Sequence, residues 1–271
     1  TPPYAMLRSL VGSEMCIRDR NIPIRTREGV TIREAFVASE GKKILAMDYS
    51  QIELRLMAHY SKDQIMLDSF KNNEDIHKRT ASEVFSVEME NVTDEMRRRA
   101  KTINFGLLYG MSAFGLSNQL SVSRAEAEEF LLNYFAKYSS IKVFMKDVVE
   151  QAKKDKYVST LYGRKIHVPN IESPNYMLRQ ASERAAVNGP LQGSAADIIK
   201  RAMINIFKES GGNEKDIKMI LQVHDELVFE VPEDYDEKNI SYLIDLMEES
   251  SSIDVPLKVE YGFGSNWREA H

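Results

Sequence analysis

The chain has one cysteine, Cys16, so no disulfide can form within it and a disulfide-stapled secreted fold is excluded. A lone cysteine fits a reducing compartment without establishing one. No stretch approaches the roughly 18 unbroken apolar residues of a membrane-spanning helix, and the expectation is a protein with no membrane partner. Basic charge is not in excess either, since the formal net charge is −5. Taken alone, that argues mildly against a phosphate-rich partner, because phosphate binding favours basic surfaces. What counts is local charge. Arg97, Arg98, Arg99 and Lys101 lie within five residues, while acids gather elsewhere, as in Glu233–Glu237. Such a basic run is often only a solvated helix face. The composition, 43% hydrophobic and 28% charged over 271 residues, is ordinary for a globular protein of one large domain or two lobes.

Residues 1–20 lack sustained helix or strand periodicity and lack the basic-then-apolar layout of a signal peptide. The run Leu10 to Arg20 resembles the translated read-through of a sequencing adapter, so 1–20 stays unassigned, either a disordered leader or a non-native junction. From Asn21 onward the pattern is regular. Lys43–Asp48 is a short apolar run ending on an acid, which predicts a buried strand. A helix is expected over Gln51–Tyr60. Helical periodicity then dominates from about Lys62 to Tyr157. Asp94 and Glu95 open one helix, favoured beside the positive end of its dipole, and Gly110 is placed to stop it. Ser123 to Glu126 reads as a capping box. Val158–Leu161 and Lys165–Val168 flank Tyr162-Gly163-Arg164 as a hairpin. Pro174 reopens helix to about Glu209, with a break expected near Gly189-Pro190 and a stop at Gly211-Gly212. Lys218–Val223 and Leu227–Val231 predict two strands around a tip of His224, Asp225 and Glu226. A helix over Asp234–Ser250 and a strand over Leu257–Tyr261 complete an α+β pattern, an antiparallel sheet interrupted by a helical lobe.

Two features carry chemistry. Asp48 ends one buried strand, and Asp225 and Glu226 stand at a tip between two others. Acids beside such apolar runs are paired or bound to metal, although Asp is also a common turn former. Two carboxylates from separate strands can bridge two magnesium ions, which favour hard oxygen ligands and keep waters and phosphates in their shell. Zinc is disfavoured, because His59, His77, His167, His224 and His271 have no finger or metalloprotease spacing. The second feature is a helix with Arg97, Lys101, Phe105 and Tyr109 every four residues, hence along one slowly drifting stripe. Ala100, Ile103 and Leu107 form the adjacent apolar stripe. Cations followed by aromatics suit a nucleoside triphosphate, with phosphates at Arg97 and Lys101 and sugar and base at Phe105 and Tyr109. An amphipathic helix with snorkelling basic ends is the plainer alternative.

With these residues in hand the sequence resembles the family A DNA polymerases, the bacterial ones most of all. Asp48-Tyr49-Ser50-Gln51-Ile52-Glu53-Leu54-Arg55 resembles the family's first catalytic motif. Arg97, Lys101, Phe105 and Tyr109-Gly110 resemble its nucleotide-binding fingers helix, and Gln222-Val223-His224-Asp225-Glu226 its second metal-binding motif. Arg184 to Asn188, followed by Gln192-Gly193, looks like its helix on primer and template. The resemblance spans about Asn21 to His271, with long motifs in the right order. It implies that Asp48, Asp225 and the backbone carbonyl of Tyr49 hold two Mg2+ ions, for which Mn2+ could substitute. It implies that Glu226 supports catalysis near the primer end. Arg97, Lys101 and His77 would hold the triphosphate, and Lys101 would also protonate the leaving pyrophosphate. Glu53 and Tyr109 would exclude ribonucleotides, Phe105 would pack by the sugar, and Gln51 would join the dNTP site. Arg184, Asn188, Gln192 and His224 would touch primer–template DNA.

The implied fold is a right-hand palm interrupted by fingers, with the thumb absent. The palm would take 21–54 and 186–271 and the fingers 55–185. The implied protein is a DNA-directed DNA polymerase acting in replication and repair, monomeric, in the bacterial cytoplasm at the nucleoid. The 271-residue chain is expected to be a weak polymerase alone. A single-subunit RNA polymerase shares related motifs and the two-metal chemistry; Glu53 and the His224-Asp225-Glu226 block favour DNA, and equal use of ribonucleotides would reverse that. A non-catalytic nucleic-acid-binding remnant would bind DNA without regard to magnesium.

Overall fold

The computed structural model describes residues 27–210 and 217–271. The leader at 1–20 and the Gly211-Gly212 stop lie outside them. The described residues form two compact units. One holds the residues up to Ile52, Ile198–Ser252 and Leu257–His271, and the other holds Glu53–Asp197 with Ile253–Pro256.

The first unit is built on a four-stranded antiparallel sheet. Helix α1 (Arg27–Glu34) precedes β1 (Lys42–Tyr49). Strands β4 (Lys218–Val223), β5 (Glu226–Pro232) and β6 (Val259–Gly264) come from the far end of the chain, with α10 (Glu237–Glu248) between the last two. The spatial order is β4-β5-β1-β6, so β1 is central although it is first in sequence. Both faces are apolar, as the continuous buried run of Ile44, Leu45, Ala46 and Met47 requires. Ile44, Ala46 and Val228 pack with Leu221, Val223, Trp267 and Ala270 on one face. Tyr49 points to the other face, where its hydroxyl donates to the Met247 carbonyl (2.7 Å) and meets Ser250 Oγ (2.9 Å).

The second unit is largely helical. Its elements are α2 (Ile52–Ser61, whose first residue belongs to the sheet unit), α3 (Gln64–Lys71), α4 (Ile76–Phe85), α5 (Asp94–Leu108), α6 (Ala113–Leu120), α7 (Arg124–Lys137) and α8 (Ser139–Asp155). Each start that the sequence marks is capped. Asp63, Asp75, Thr93, Ser112 and Ser123 accept from amides two or three residues on. Strands β2 (Tyr157–Ser159) and β3 (Lys165–His167) make the expected hairpin, shorter than predicted because residues 160–164 are its loop. Helix α9 runs unbroken from Tyr176 to Glu209, its residues from Ile198 onward belonging to the sheet unit.

That continuity corrects the expected break at Gly189-Pro190. A proline inside a helix costs roughly 3 kcal/mol, and packing offsets it here. A Cβ at Gly189 would meet Val158 at 2.9 Å, and one at Gly193 would meet Thr160 at 2.6 Å and Ile166 at 2.9 Å. The two glycines thus let the hairpin seat directly on the helix backbone either side of Pro190. Two smaller corrections fall at the end of the chain. The helix expected at Asp234–Ser250 starts after its cap Asp236, and the last strand is displaced to Val259–Gly264 by its pairing with β1.

Candidate functional site

In the sheet unit, antiparallel pairing of β1 and β5 sets Asp48 opposite Glu226. The Tyr49 amide donates to the Asp225 carbonyl (3.2 Å), so Asp225 sits beside the strand end that carries Asp48. This meeting was expected. The expected position of Glu226 was not: it is the first residue of β5, and only His224 and Asp225 form the turn. Cross-strand pairing extends one residue further than the apolar run suggested. So tight a connection demands a positive φ, found at His224 (52°) and stabilised by Gln222 Nε2 donating to the His224 carbonyl (2.6 Å). A second left-handed residue, Gln51 (φ 56°), turns the chain out of β1. Backbone strain of this kind is held in place only by strong surrounding structure.

The carboxyl groups of Asp48 and Asp225 lie close enough to act on each other directly. Asp48 is pushed up to about 7 by burial, then by the charges of Asp225 and Glu226, with His271 opposing. Asp225 is also raised, again chiefly by burial. Two buried carboxyls this close cannot both ionise freely without a cation. Glu226 is 4% exposed, accepts from Trp267 Nε1 (2.9 Å) and lies 3.5 Å from His271 Nδ1. That contact raises the His271 pKa. Arg33, 3% exposed, stacks 3.8 Å over the Trp267 ring. Trp267, His271 and Arg33 were not foreseen as parts of this cluster. The signal available for Trp267 was its being the sole tryptophan.

Among the described residues, no three His, Cys, Asp or Glu side chains converge to hold a metal by themselves. The oxygen-only pair nonetheless fits a hard divalent cation that takes the rest of its shell from backbone, water and phosphate. Asp48 Oδ1 is buried without a hydrogen-bond partner, the orphaned acceptor such an ion would satisfy. Tyr49 can offer only its backbone carbonyl, since its side chain is buried on the opposite face.

In the helical unit, Ala100, Ile103 and Leu107 are buried as expected and dock α5. The neighbouring stripe carries exposed Arg97 and Lys101, half-buried Phe105 and exposed Tyr109. Phe105 stacks with Tyr109 (6.4 Å, 24°) and leans on His77 (5.8 Å, 47°). Tyr109 closes α5 and donates to Glu53 Oε2 at 2.7 Å. Gly110 follows with φ 67°, and a Cβ there would lie 2.7 Å from Arg184 Cγ, so the end of α5 abuts α9. On α9, Arg184, Asn188 and Gln192 share a stripe at four-residue spacing. Arg184 and Gln192 are exposed, and Asn188 Oδ1 is buried without a partner.

Two groups behind the stripe went unforeseen. Asp75 caps α4 and accepts from Arg97 Nε at 2.6 Å. Burial acts to raise Asp75, but the Arg97 contact and the cap amides outweigh it and its pKa falls. An acid directly before an apolar helix start was the legible signal. The other is Asn104, buried against His77. His77 itself is 2% exposed. Burial lowers its pKa to about 4; Asp75 opposes this, while Lys101 and Arg97 reinforce it. The ring is neutral at neutral pH.

The family pattern described as DNA polymerase family A matches residues 20–269. DNA polymerase I of Pseudomonas aeruginosa is 52% identical over 255 residues, which is 93% of this chain and 28% of that protein. DNA polymerase I of Bacillus caldotenax is 45% identical over 252 residues, 93% of this chain and 29% of that protein. Among solved structures, the POL domain of Pol1 from M. smegmatis, in complex with DNA primer-template and dNTP, superposes with a TM-score of 0.88 at 45% identity. That match covers 93% of this chain and 44% of the other. The chain therefore spans under a third of the length of these two curated relatives.

Proposed function

The chain belongs to DNA polymerase family A, and on that premise we propose that it performs template-directed DNA synthesis, moving a deoxynucleotide from dNTP to a primer 3′-OH. The reading is supported most by one feature, the convergence of Asp48 and Asp225, which follows from the pairing of Asp48 with Glu226 and the bond from the Tyr49 amide to the Asp225 carbonyl. Asp48, Asp225 and the Tyr49 carbonyl are the proposed ligands of two Mg2+ ions, with Mn2+ as a substitute. When bound, two such ions lower the pKa of the attacking hydroxyl and offset charge on the leaving group.

The remaining roles belong to this chain's own side chains. Arg97 binds phosphate by exchanging its partner Asp75 for the ligand, a trade between two charge-assisted hydrogen bonds. Lys101, one turn further, holds phosphate as a mobile point charge and gives a proton to departing pyrophosphate. His77, neutral, contributes a hydrogen bond rather than a charge, and side chains around it must part for it to do so. Phe105 packs by the sugar and Gln51 borders the same nucleotide. Tyr109, tethered to Glu53, forms a wall against a 2′-hydroxyl. Glu226, pinned by Trp267, is held at its place beside the primer end. Arg184, Asn188, Gln192 and His224 bind primer and template.

The palm corresponds to 21–54 with 186–271 and the fingers to 55–185. The protein works as a monomer at the bacterial nucleoid, in replication and repair. Synthesis by the 271-residue chain alone is proposed to be weak, because it spans 28% of the Pseudomonas relative. Among the described residues no helix is long and apolar enough to cross a membrane.

The test is single-turnover addition of one dNTP to a labelled primer–template, with the chain in excess and magnesium present. Removing a metal ligand forfeits several kcal/mol of transition-state stabilisation, so Asp48→Ala or Asp225→Ala should slow addition on the order of a thousandfold. Circular dichroism checks that both variants fold. Undiminished addition by either variant would overturn the assignment.

A further inference from the structure

A buried cluster of hydrogen bonds under α5 bears on which nitrogen of His77 carries its proton. Thr80 Oγ1 donates to the Ile76 carbonyl one helical turn back (2.8 Å). A hydroxyl has a single proton, so Thr80 is left able only to accept. Asn104 Nδ2 lies 3.0 Å from that oxygen and 3.1 Å from His77 Nδ1, and Asn104 Oδ1 lies slightly farther from the hydroxyl, at 3.2 Å. The amide therefore presents its NH2 to both, one proton to each. The reversed amide would bring its carbonyl oxygen to the nearer position, 3.0 Å in place of 3.2 Å, against a hydroxyl whose proton goes to Ile76. Asn104 is 1% exposed and Thr80 1% exposed, so water does not compete for these positions. A neutral imidazole has one donor and one acceptor nitrogen.

We propose that Asn104 is a positioning residue that locks His77 with a bare Nδ1 and a protonated Nε2, so that the ring's free edge is a hydrogen-bond donor suited to a phosphate oxygen. The opposite tautomer would turn a lone pair toward the anion. The buried neutrality of the ring agrees with a single proton. Thr80 acts one step further back by fixing the amide, and Tyr138 Oη, 3.3 Å from Thr80 Oγ1, closes the same polar cluster. The inference rests on the proposed role of His77 toward the triphosphate, but the tautomer can be read without any nucleotide.

The experiment is long-range 1H–15N correlation on the chain labelled at its 5 histidines, with the His77 signals identified by their loss in His77→Gln. Wild type should show the proton on Nε2 alone. Asn104→Leu and Thr80→Val should each produce a mixture of tautomers. Calorimetric titration with dATP and magnesium should show Asn104→Leu weakening binding roughly threefold to tenfold, the worth of one neutral hydrogen bond. The same change in a His77→Gln background should cost nothing further. A proton found on Nδ1 in wild type, or tautomers unmoved in both variants, would overturn the proposal. The expected tautomer together with unaltered dATP binding by His77→Gln would uphold the control by Asn104 and remove the role given to His77.

Discussion

Acid should unfold this protein partly through His77, and replacing that residue should blunt the effect. The ring is buried and its pKa falls from 6.5 to about 4 on folding. The sign follows from linkage. In the unfolded chain the ring takes up a proton near 6.5, while the folded protein resists protonation until about 4. Stability from this group is complete above the unfolded value, is lost as pH falls through the window between the two, and is fully lost below the folded one. At 1.36 kcal/mol per unit the whole window is worth roughly 3 kcal/mol, and the step from about pH 7.5 to about pH 5 roughly 2 kcal/mol. His77→Gln removes the titrating group, and any packing cost it brings is the same at both pH values. Urea unfolding of both proteins at the two pH values gives the difference of differences, in which all other acids and bases cancel. The variant should lose about 2 kcal/mol less than wild type on acidification. An equal loss in both proteins would mean that the folded ring titrates normally and that its burial does not hold it neutral in acid.

Gly193→Ala should destabilise by about 1–3 kcal/mol in urea unfolding, although alanine is the better helix former, because its Cβ meets Thr160 at 2.6 Å. A stabilised variant would show that the hairpin does not seat on α9. Trp267→Phe keeps a ring beside Phe36 but removes the Nε1 donor to buried Glu226, and should cost about 1–3 kcal/mol. No loss would mean that Glu226 finds other partners. Phe105→Tyr should raise dideoxynucleotide uptake in primer extension, and unchanged selectivity would remove Phe105 from the sugar.

Much of the frame was legible because single elements announce themselves. The run Ile44 to Met47 is apolar on both faces, as a central strand must be, and the α5 stripe repeats every four residues. The caps at Ser123 and the stop at Gly110 are local chemistry and came out where expected. What stayed hidden is tertiary. Pro190 reads as a breaker unless one knows that Gly189 and Gly193 receive the hairpin. Glu226 reads as a tip residue unless its pairing with Asp48 is known. Asp75 and Asn104 are separated in sequence from Arg97 and His77 by 22 and 27 residues, so no local pattern links them.

A titration with Mn2+, followed by its electron paramagnetic signal, bears most directly on the carboxyl pair, because it requires neither primer nor nucleotide. Wild type should bind Mn2+, and Asp225→Asn, which keeps the shape but removes a charge, should bind it at least roughly tenfold more weakly, since a lost carboxylate ligand is worth more than 1.4 kcal/mol. Equal affinity in the two proteins would mean that the ion sits elsewhere and that Asp48 and Asp225 come together for some other reason.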